Sequence, residues 1–316
     1  MNSKLFNPDY LQFLCDKYNL KPNRKYGQNF LINSEVIEKI IESAGIDKND
    51  TVVEIGPGFG ALTFALAETA GKVIAFEIEQ KIKDYWNKNK PENVEIIWGN
   101  VLKELDPSPV CRTADSRFRG NDNQTHCHPR EDGDPSSIRQ KTDFSLHGND
   151  GYKVVANLPY QITSNIIRKF LEADNPPREM VIMTQKEVAE RICAEPGGMS
   201  LLAIATQYYA YPEIIAAVSR SDFWPEPKVD SAILKLTIIE QEINKSETEN
   251  LFKVARAGFA QKRKLLIKNL TPLFGNKEIL REIFTKIGLG EKVRAQELSV
   301  EQWKMIAERL SSRSDK

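Results

Sequence analysis

The chain has 316 residues, of which 41% are hydrophobic and 28% charged, proportions typical of a globular protein with a sizeable core. Lysine plus arginine and aspartate plus glutamate both number 44, so the net charge of zero gives no argument for a polyanionic partner, and only a local patch could. The four cysteines form no paired framework. Because there is no apolar run of about 18 residues and no signal peptide, we expect a cytoplasmic protein without a membrane span.

Strand and helix patterns alternate along the first 240 residues. A helix is predicted from Ser34 to a stop at Gly45, after a loop at 21–33 that mixes cations, glycine and aromatic residues. Short apolar segments then predict strands at 51–55, 72–77, 94–98, 153–157, 179–184, 212–218 and 231–239. Helical patterns separate most of these strands, which is typical of a doubly wound, Rossmann-like α/β sheet with helices on both faces. Because no helix separates the last two strands, an antiparallel last strand is predicted.

The C-terminal segment has no strand pattern. From about Ser246 onward, the sequence predicts three or four amphipathic helices. We therefore expect two domains, an α/β domain over 1–240 and a small all-α domain over 246–316.

Residues 111–150 do not follow the alternation of strands and helices. Ile138 and Leu146 are their only large aliphatic residues, so they are predicted to be an insertion that cannot bury enough apolar surface to order itself. All three histidines of the chain lie in this segment, His126 and His128 on either side of Cys127, and His147 further along. Their spacing matches no closed zinc site, so we predict no metal and no chemistry that depends on histidine.

A glycine-rich turn, Glu54-Ile-Gly56-Pro-Gly58-Phe-Gly60, follows the first of the predicted strands and precedes a helix. Glycines allow the backbone to approach a ligand closely, and ligands of open α/β sheets bind at the carboxyl ends of strands. Glu77 ends the next strand, where a carboxylate can accept from both ribose hydroxyls of an adenosine. The spacing differs from the G-x-G-x-x-G of nicotinamide enzymes and resembles that of class I methyltransferases, which bind S-adenosylmethionine.

The segment Asn157-Leu158-Pro159-Tyr160 follows the fourth predicted strand, at the same carboxyl edge. The N6 atom of adenine is a poor nucleophile because its lone pair is delocalised into the ring. An Asn157 carbonyl could accept one N6 hydrogen bond, and a backbone carbonyl at the rigid Leu158–Pro159 step could accept the other, which directs the lone pair at a methyl group. Tyr160 offers a ring on which a flipped-out base can stack. Taken alone, Asn-x-Pro-Tyr is equally typical of a simple turn.

With four further segments, these motifs make the sequence similar to the KsgA/RsmA family, the bacterial small-subunit (16S) rRNA adenine N6,N6-dimethyltransferases. The segments are Arg24-Lys-Tyr-Gly-Gln-Asn-Phe-Leu31, Phe223-Trp-Pro-Glu-Pro-Lys-Val-Asp-Ser231, Gly258-Phe-Ala-Gln-Lys-Arg-Lys264 and Arg294-Ala-Gln-Glu-Leu298. The resemblance implies that a methyltransferase domain over 1–240 transfers methyl groups from S-adenosylmethionine to two adjacent adenosines in a hairpin loop near the 3′ end of 16S rRNA. It also implies a role in small-subunit biogenesis.

The resemblance implies roles for individual residues. Cofactor contacts are expected from Asn29, Leu31, Gly56, Gly58, Glu77, Asn100 and Asn157. The target adenine is expected to be held by Asn157, Leu158, Pro159 and Tyr160, with Phe223 stacking on its other face. The family usually has Asp where this chain has Asn100. Asparagine can still accept from the adenine amine, but without the charge, so we expect weaker cofactor binding.

Residues 251–268 carry six cations and no acidic residue. As a helix they would present a basic face, with Phe252 and Phe259 turned inward, and the cations could follow RNA phosphates. RNA contacts are expected from Arg24, Lys25, Arg256, Lys262, Arg263 and Lys264. The expected partner is 16S rRNA in a 30S precursor, and we expect a monomer.

Two other functions remain open from the sequence. One is a 23S rRNA adenine N6-methyltransferase of the antibiotic-resistance type, which the segments 223–231 and 294–298 disfavour. The other is a non-catalytic factor for ribosome assembly or RNA binding, which only Asn100 and the insertion favour. A small-molecule N-methyltransferase is disfavoured by the basic C-terminal segment.

Overall fold

The computed structural model of the chain describes residues 3–22, 28–104, 151–240 and 244–314. Its strands are β1 Phe30–Leu31, β2 Thr51–Ile55, β3 Lys72–Glu77, β4 Val94–Trp98, β5 Lys153–Asn157, β6 Glu179–Gln185, β7 Ala210–Val218, β8 Phe223–Trp224 and β9 Ser231–Ile238. The seven longer strands begin and end within two residues of the predicted ones. Their prediction is therefore confirmed.

These seven strands form one sheet in the order β4-β3-β2-β5-β6-β9-β7. The first five strands in this order, from β4 to β6, are parallel to one another, whereas β9 lies between β6 and β7 and is antiparallel to both. The predicted Rossmann-like sheet with an antiparallel last strand is confirmed. Since parallel strands run in one direction, β4, β3, β2 and β5 end side by side at the same edge of the sheet.

Helices cover the sheet and form the C-terminal part of the chain. They are α1 Pro8–Lys17, α2 Ser34–Ala44, α3 Ala61–Thr69, α4 Lys83–Asn89, α5 Val101–Glu104, α6 Thr163–Leu171, α7 Lys186–Ile192, α8 Leu201–Gln207, α9 Lys245–Phe259, α10 Leu266–Phe274, α11 Lys277–Lys286 and α12 Val300–Ser314. At the start of α2, the Asn33 side chain accepts from the N–H of Glu35, and Gly45 ends the helix with a left-handed φ of 49°. Local capping chemistry thus sets both ends of α2 where the sequence predicts them.

Alternate residues of β5 point into two different apolar clusters, as the two-residue period of a strand requires. Val154 belongs to a cluster that also contains Leu251 of α9 and Trp303 of α12. Val155 belongs to the cluster on the opposite face, together with Ile37 of α2. The C-terminal helices therefore share buried contacts with one face of the sheet. Their independence as a domain of residues 246–316 remains a prediction.

A two-stranded antiparallel ribbon, β1 with β8, is absent from the predicted elements. Phe30 pairs with Trp224, and Leu31 pairs with Phe223. Next to the ribbon, the Asn33 side-chain nitrogen donates to an Asp222 carboxylate oxygen at 3.0 Å. Strands of two residues are too short to show an alternating pattern. The ribbon ties the segment before α2 to the loop before β9.

The basic segment 251–268 is not one helix, contrary to the prediction. Helix α9 ends at Phe259, and residues 260–265 form a turn before α10. The Asn269 side chain stabilises this turn by donating to the backbone oxygens of Gly258 at 2.6 Å and Gln261 at 3.1 Å. Phe259 stacks on the buried Trp303, with ring centroids 5.6 Å apart. The predicted inward direction of Phe259 is confirmed, but the cations of 262–264 lie on a turn.

Several predictions concern residues outside the described ranges, namely Arg24, Lys25 and the segment 111–150 with its histidines. Among the helices of the described part, none combines the length and apolar character needed to span a bilayer. The same ranges contain no group of three or more His, Cys, Asp or Glu side chains placed to bind a metal ion.

Candidate active site

A cavity of about 590 Å³ opens at the carboxyl edge of the sheet. Four neighbouring strands each bring one predicted site residue to its wall: Asn100 after β4, Glu77 at the end of β3, Gly56 after β2 and Asn157 at the end of β5. Because neighbouring strands lie about 4.8 Å apart, these four positions span about 14 Å. The site therefore suits an elongated ligand whose parts meet different strands. Asn29, Leu31, Gly58 and Pro159 also line the cavity.

The glycine loop closes against the Glu77 carboxylate. One carboxylate oxygen accepts from the Gly58 N–H at 3.1 Å, and the other accepts from the Glu79 N–H at 2.7 Å. Gly56 and Gly58 both have left-handed φ angles, 73° and 56°. Burial raises the pKa of Glu77, although the N–H groups of Glu79 and Gly58 act in the opposite direction. The carboxylate is held in one orientation, and its remaining lone pairs can accept from a pair of ligand hydroxyls.

Glu54 lies in β2, just before the glycine loop, and lines the same cavity. No role in ligand binding is predicted for it from the sequence. It is 2% exposed, and within the described part of the chain its Oε2 atom has no hydrogen-bond partner. Burial raises the pKa of this carboxyl to about 8, against the effect of the nearby Thr63 hydroxyl and with a contribution from Glu77. A buried acceptor without a partner favours a ligand that carries a donor or a positive charge. A lone acid in an apolar strand is the sequence signal that identifies it.

The amide of Asn157 is oriented by the segment that leads into β1. Its Nδ2 atom donates to the backbone oxygen of Asn29 at 3.4 Å. Because the nitrogen of an amide donates and its oxygen accepts, this contact leaves Oδ1 as the atom available to a ligand. Asn157 therefore presents an acceptor at the end of β5.

The Leu158–Pro159 step adds a second acceptor. The Pro159 carbonyl is already engaged, since it accepts from the Ile162 N–H at 3.1 Å and the Thr163 hydroxyl at 3.3 Å. The Leu158 N–H donates to the Met183 carbonyl at 3.1 Å, which fixes the Asn157–Leu158 peptide plane that precedes the step. No donor among the described residues bonds to the Leu158 carbonyl oxygen. Of the two carbonyls, only the one at Leu158 has no partner among the described contacts, but Leu158 is 1% exposed and is not among the residues that line the cavity, so its role as an acceptor for a ligand remains a prediction.

Tyr160 is half-buried and lies next to this step without lining the cavity. Its hydroxyl forms a hydrogen bond of 2.7 Å with the hydroxyl of Ser231, a buried residue at the start of β9. Burial raises the pKa of Tyr160, so the phenol stays protonated at neutral pH. The bond to Ser231 fixes the direction of the tyrosine ring.

Phe223 is not brought to the cavity. Its side chain is 3% exposed and packs in the apolar cluster that contains Leu31 and Val218. The neighbouring Trp224 is half-buried and stacks on Phe30, with ring centroids 6.2 Å apart. In this arrangement the Phe223 ring is not placed to stack on a base in the cavity, so its stacking on the target base remains a prediction.

At the other end of the cavity, the Asn100 side chain is used to cap α5. Its Oδ1 atom accepts from the Leu102 N–H at 3.0 Å, and its backbone oxygen accepts from the Lys103 N–H at 2.7 Å. The oxygen that was expected to accept from an adenine amine is therefore already engaged within the chain.

The chain is similar to known proteins over nearly its whole length. The family model for ribosomal RNA adenine dimethylases matches residues 19–312. A ribosomal RNA small subunit methyltransferase A from Dehalococcoides mccartyi is 37% identical over 296 residues, which cover 93% of this chain and 90% of that protein. A protein of the same name from Clostridioides difficile is 36% identical over 304 residues, covering 95% and 94%.

Two solved structures share the fold over most of the chain. A dimethyladenosine transferase from Plasmodium falciparum has a TM-score of 0.64 and 25% identity, covering 90% of this chain and 98% of that one. The 23S rRNA methyltransferase ErmE has a TM-score of 0.62 and 24% identity, covering 90% and 100%. The extent of the family match and the identity to the bacterial relatives show that this chain belongs to the ribosomal RNA adenine dimethylase family.

Proposed function

We propose that the chain transfers methyl groups from S-adenosylmethionine to N6 of two adjacent adenosines in a hairpin loop near the 3′ end of 16S rRNA, giving N6,N6-dimethyladenosine. Membership of the family supports an rRNA adenine as acceptor, and the names of the bacterial relatives support the small subunit. The observation that carries the proposal is the acceptor Oδ1 of Asn157, which lies on the wall of the cavity that Gly56 and Glu77 also line. The Leu158 carbonyl, which no described donor engages, would be the second acceptor.

The lining of the cavity fits S-adenosylmethionine. The Glu77 carboxylate suits the two ribose hydroxyls, and the unpartnered Glu54 oxygen suits the ammonium group. At Gly58 a Cβ atom would lie 3.2 Å from the Phe30 ring, so glycine keeps the loop close to the ribbon and open to a ligand. When bound, the cofactor supplies an electrophilic methyl group. Asn29, Leu31, Gly56 and Asn100 would complete its contacts.

The two acceptors act on the target amine. When Asn157 and Leu158 accept hydrogen bonds from the two N6–H groups, the N6 lone pair is drawn out of conjugation with the ring and directed toward the methyl group. This lone pair would form the new N–C bond with the methyl carbon that the bound cofactor supplies, the electrons of the broken C–S bond would stay with sulfur, and a proton would pass from N6 to water. Positioning and fixed dipoles provide the rate enhancement, so no general base is required. The base itself must leave its stack, and Tyr160 gives it a ring of fixed orientation.

The C-terminal helices would bind the RNA backbone. On the turn at 260–265, the side chains of Lys262, Arg263 and Lys264 are all exposed. Burial and the neighbouring Arg168 lower the pKa of Arg256, although Glu172 acts in the opposite direction, so a phosphate beside these two arginines would be stabilising. Arg24 and Lys25 precede Asn29, at the cavity, by a few residues. We extend the proposal to a 30S precursor as substrate and a monomer as the active form.

Transfer of labelled methyl groups to purified subunits tests the proposal. With 30S subunits that lack the modification, we expect label at two adjacent adenosines, two methyl groups on each. Label in 50S subunits instead would support the 23S alternative. Binding to 30S subunits without transfer would support a non-catalytic assembly factor.

A further inference from the structure

Asn100 and Val101 mark the purine end of the cavity. Along the sheet edge, Glu77 lies between Asn100 on one side and Gly56 and Asn157 on the other. If Glu77 binds the ribose and the methyl group points toward Asn157, the purine falls on the remaining side, at Asn100. This step rests on the proposed function.

The described contacts leave two donors at this end. The Leu102 N–H donates to the Asn100 oxygen, so the nitrogen Nδ2 is the atom of the amide left for a ligand. No group in the described ranges accepts from that nitrogen or from the Val101 backbone N–H, and Val101 lines the cavity. Within the described contacts, Asn100 and Val101 therefore offer the purine edge two donors, while the side-chain oxygen of Asn100 is already engaged.

The edge of adenine carries a donor at its 6-amino group and an acceptor at N1, whereas a 6-oxo purine carries an acceptor at position 6 and a donor at N1. Two protein donors can satisfy one group of either base and leave the other unsatisfied. An aspartate at position 100 could cap Leu102 with one oxygen and accept from a 6-amino group with the second. We propose that Asn100 makes this chain nearly indifferent to whether the purine of its nucleoside cofactor carries a 6-amino or a 6-oxo group.

Titration calorimetry of the full chain with S-adenosylhomocysteine and S-inosylhomocysteine tests this inference without reference to activity. For the parent, we expect the two dissociation constants to agree within about threefold, because each base satisfies one donor. For Asn100→Asp, we expect the adenosyl compound to bind about tenfold more tightly than to the parent, and the inosyl compound to bind more weakly.

Asn276→Asp is the matched control, because Asn276 caps α11 in the same way by accepting from the Glu278 N–H at 2.8 Å. It should leave both affinities at their parental values. A parent that prefers the adenosyl compound by more than about threefold would overturn the inference, and this result needs no variant. If the parent binds neither compound, both the inference and the proposed function fail. If the parent shows that preference and still methylates 30S subunits, only the inference fails.

Discussion

The side-chain nitrogen of Asn157 lies 3.4 Å from the backbone oxygen of Asn29, and this contact decides which atom of the amide can meet a substrate. Asn29 leads directly into β1, whose Leu31 pairs with Phe223 of β8. The ribbon thus sets the path of the backbone that orients the amide. The loop that carries Phe223 therefore acts on the site through the backbone, even though its own side chain is buried away from the cavity.

The bond between Tyr160 and Ser231 predicts a role for Ser231 in positioning the target base. Ser231→Ala removes the partner 2.7 Å from the tyrosine hydroxyl, so the ring loses its fixed orientation. We expect kcat for methyl transfer to fall about fivefold, a loss of about 1 kcal/mol, with little change in the affinity for the methyl donor. Steady-state kinetics that separate kcat from KM, together with donor-binding measurements, check this.

Tyr160→Phe should give the same loss, and the double variant should be no worse than either single one, because both remove one shared interaction. Ser43→Ala is the control, since the hydroxyl of Ser43 bonds only within α2, to the Lys39 carbonyl, among the described contacts. Losses that simply add in the double variant would show that Ser231 acts on something other than Tyr160.

The exposed turn at 260–265 predicts the salt dependence of RNA binding. Replacing Lys262, Arg263 and Lys264 by Gln removes three adjacent cations. Each phosphate contact contributes about 0.7 to 0.9 to the slope of log affinity against log salt, so we expect the slope to become shallower by about 2 to 3. Filter binding to the hairpin RNA over a range of salt concentrations measures this.

A control with three exposed cations on separate helices, Lys39, Lys88 and Lys286, should keep the parental slope. An unchanged slope in the turn variant would place the RNA elsewhere on the protein.

Asp50 lies at the edge of the sheet opposite the cavity, and we expect its contribution to the stability of the fold to depend on pH. It is 6% exposed and accepts from Arg178 at 2.7 Å and from Lys153 at 3.0 Å. Burial alone would raise its pKa, but the Asp47 N–H and these two cations hold it below the ordinary value of 3.8. We expect Asp50→Asn to lower the free energy of unfolding by about 3 kcal/mol at pH 7, because the partly buried Lys153 loses its counterion.

The sign of the pH dependence follows from the lowered pKa. The contribution of Asp50 is present above the unfolded-state pKa near 3.8 and is lost as the pH falls through the lower folded-state value. Urea denaturation at pH 7 and pH 3 should therefore show the two proteins converging in acid. Asp174→Asn is the control, because its pair with Lys245 is exposed and spans 3.8 Å. It should change stability by less than about 1 kcal/mol. An equal deficit for Asp50→Asn at both pH values would contradict the assignment.

The sequence predicts most of the fold because the sheet depends on local patterns. Runs such as TVVEI at 51–55 are mostly apolar and β-branched and lie between Asp50 and a glycine-rich turn, so their strands are recognisable without tertiary information. Parallel strands end at one edge, and this rule alone places Gly56, Glu77 and Asn157 on one cavity. The ribbon of β1 and β8 is too short to leave such a pattern.

Other features depend on contacts that form only in the folded chain and that the sequence pattern does not reveal. A basic run such as 251–268 has the composition of a helix face, but Asn269 stabilises a turn in the middle of it. Phe223 is buried because the ribbon pairs it with Leu31, a long-range contact that spacing does not reveal. Similarly, the capping role of Asn100 depends on the direction of one backbone N–H, that of Leu102.

The most direct test of the central claim is single-turnover methyl transfer to unmodified 30S subunits by Asn157→Ala, at a donor concentration that saturates both this variant and the parent. Removing one of two preorganised acceptors should slow transfer by at least about 100-fold, while the variant remains folded and binds the donor. A donor-bound Asn157→Ala protein that methylates the RNA at the parental rate would contradict the account.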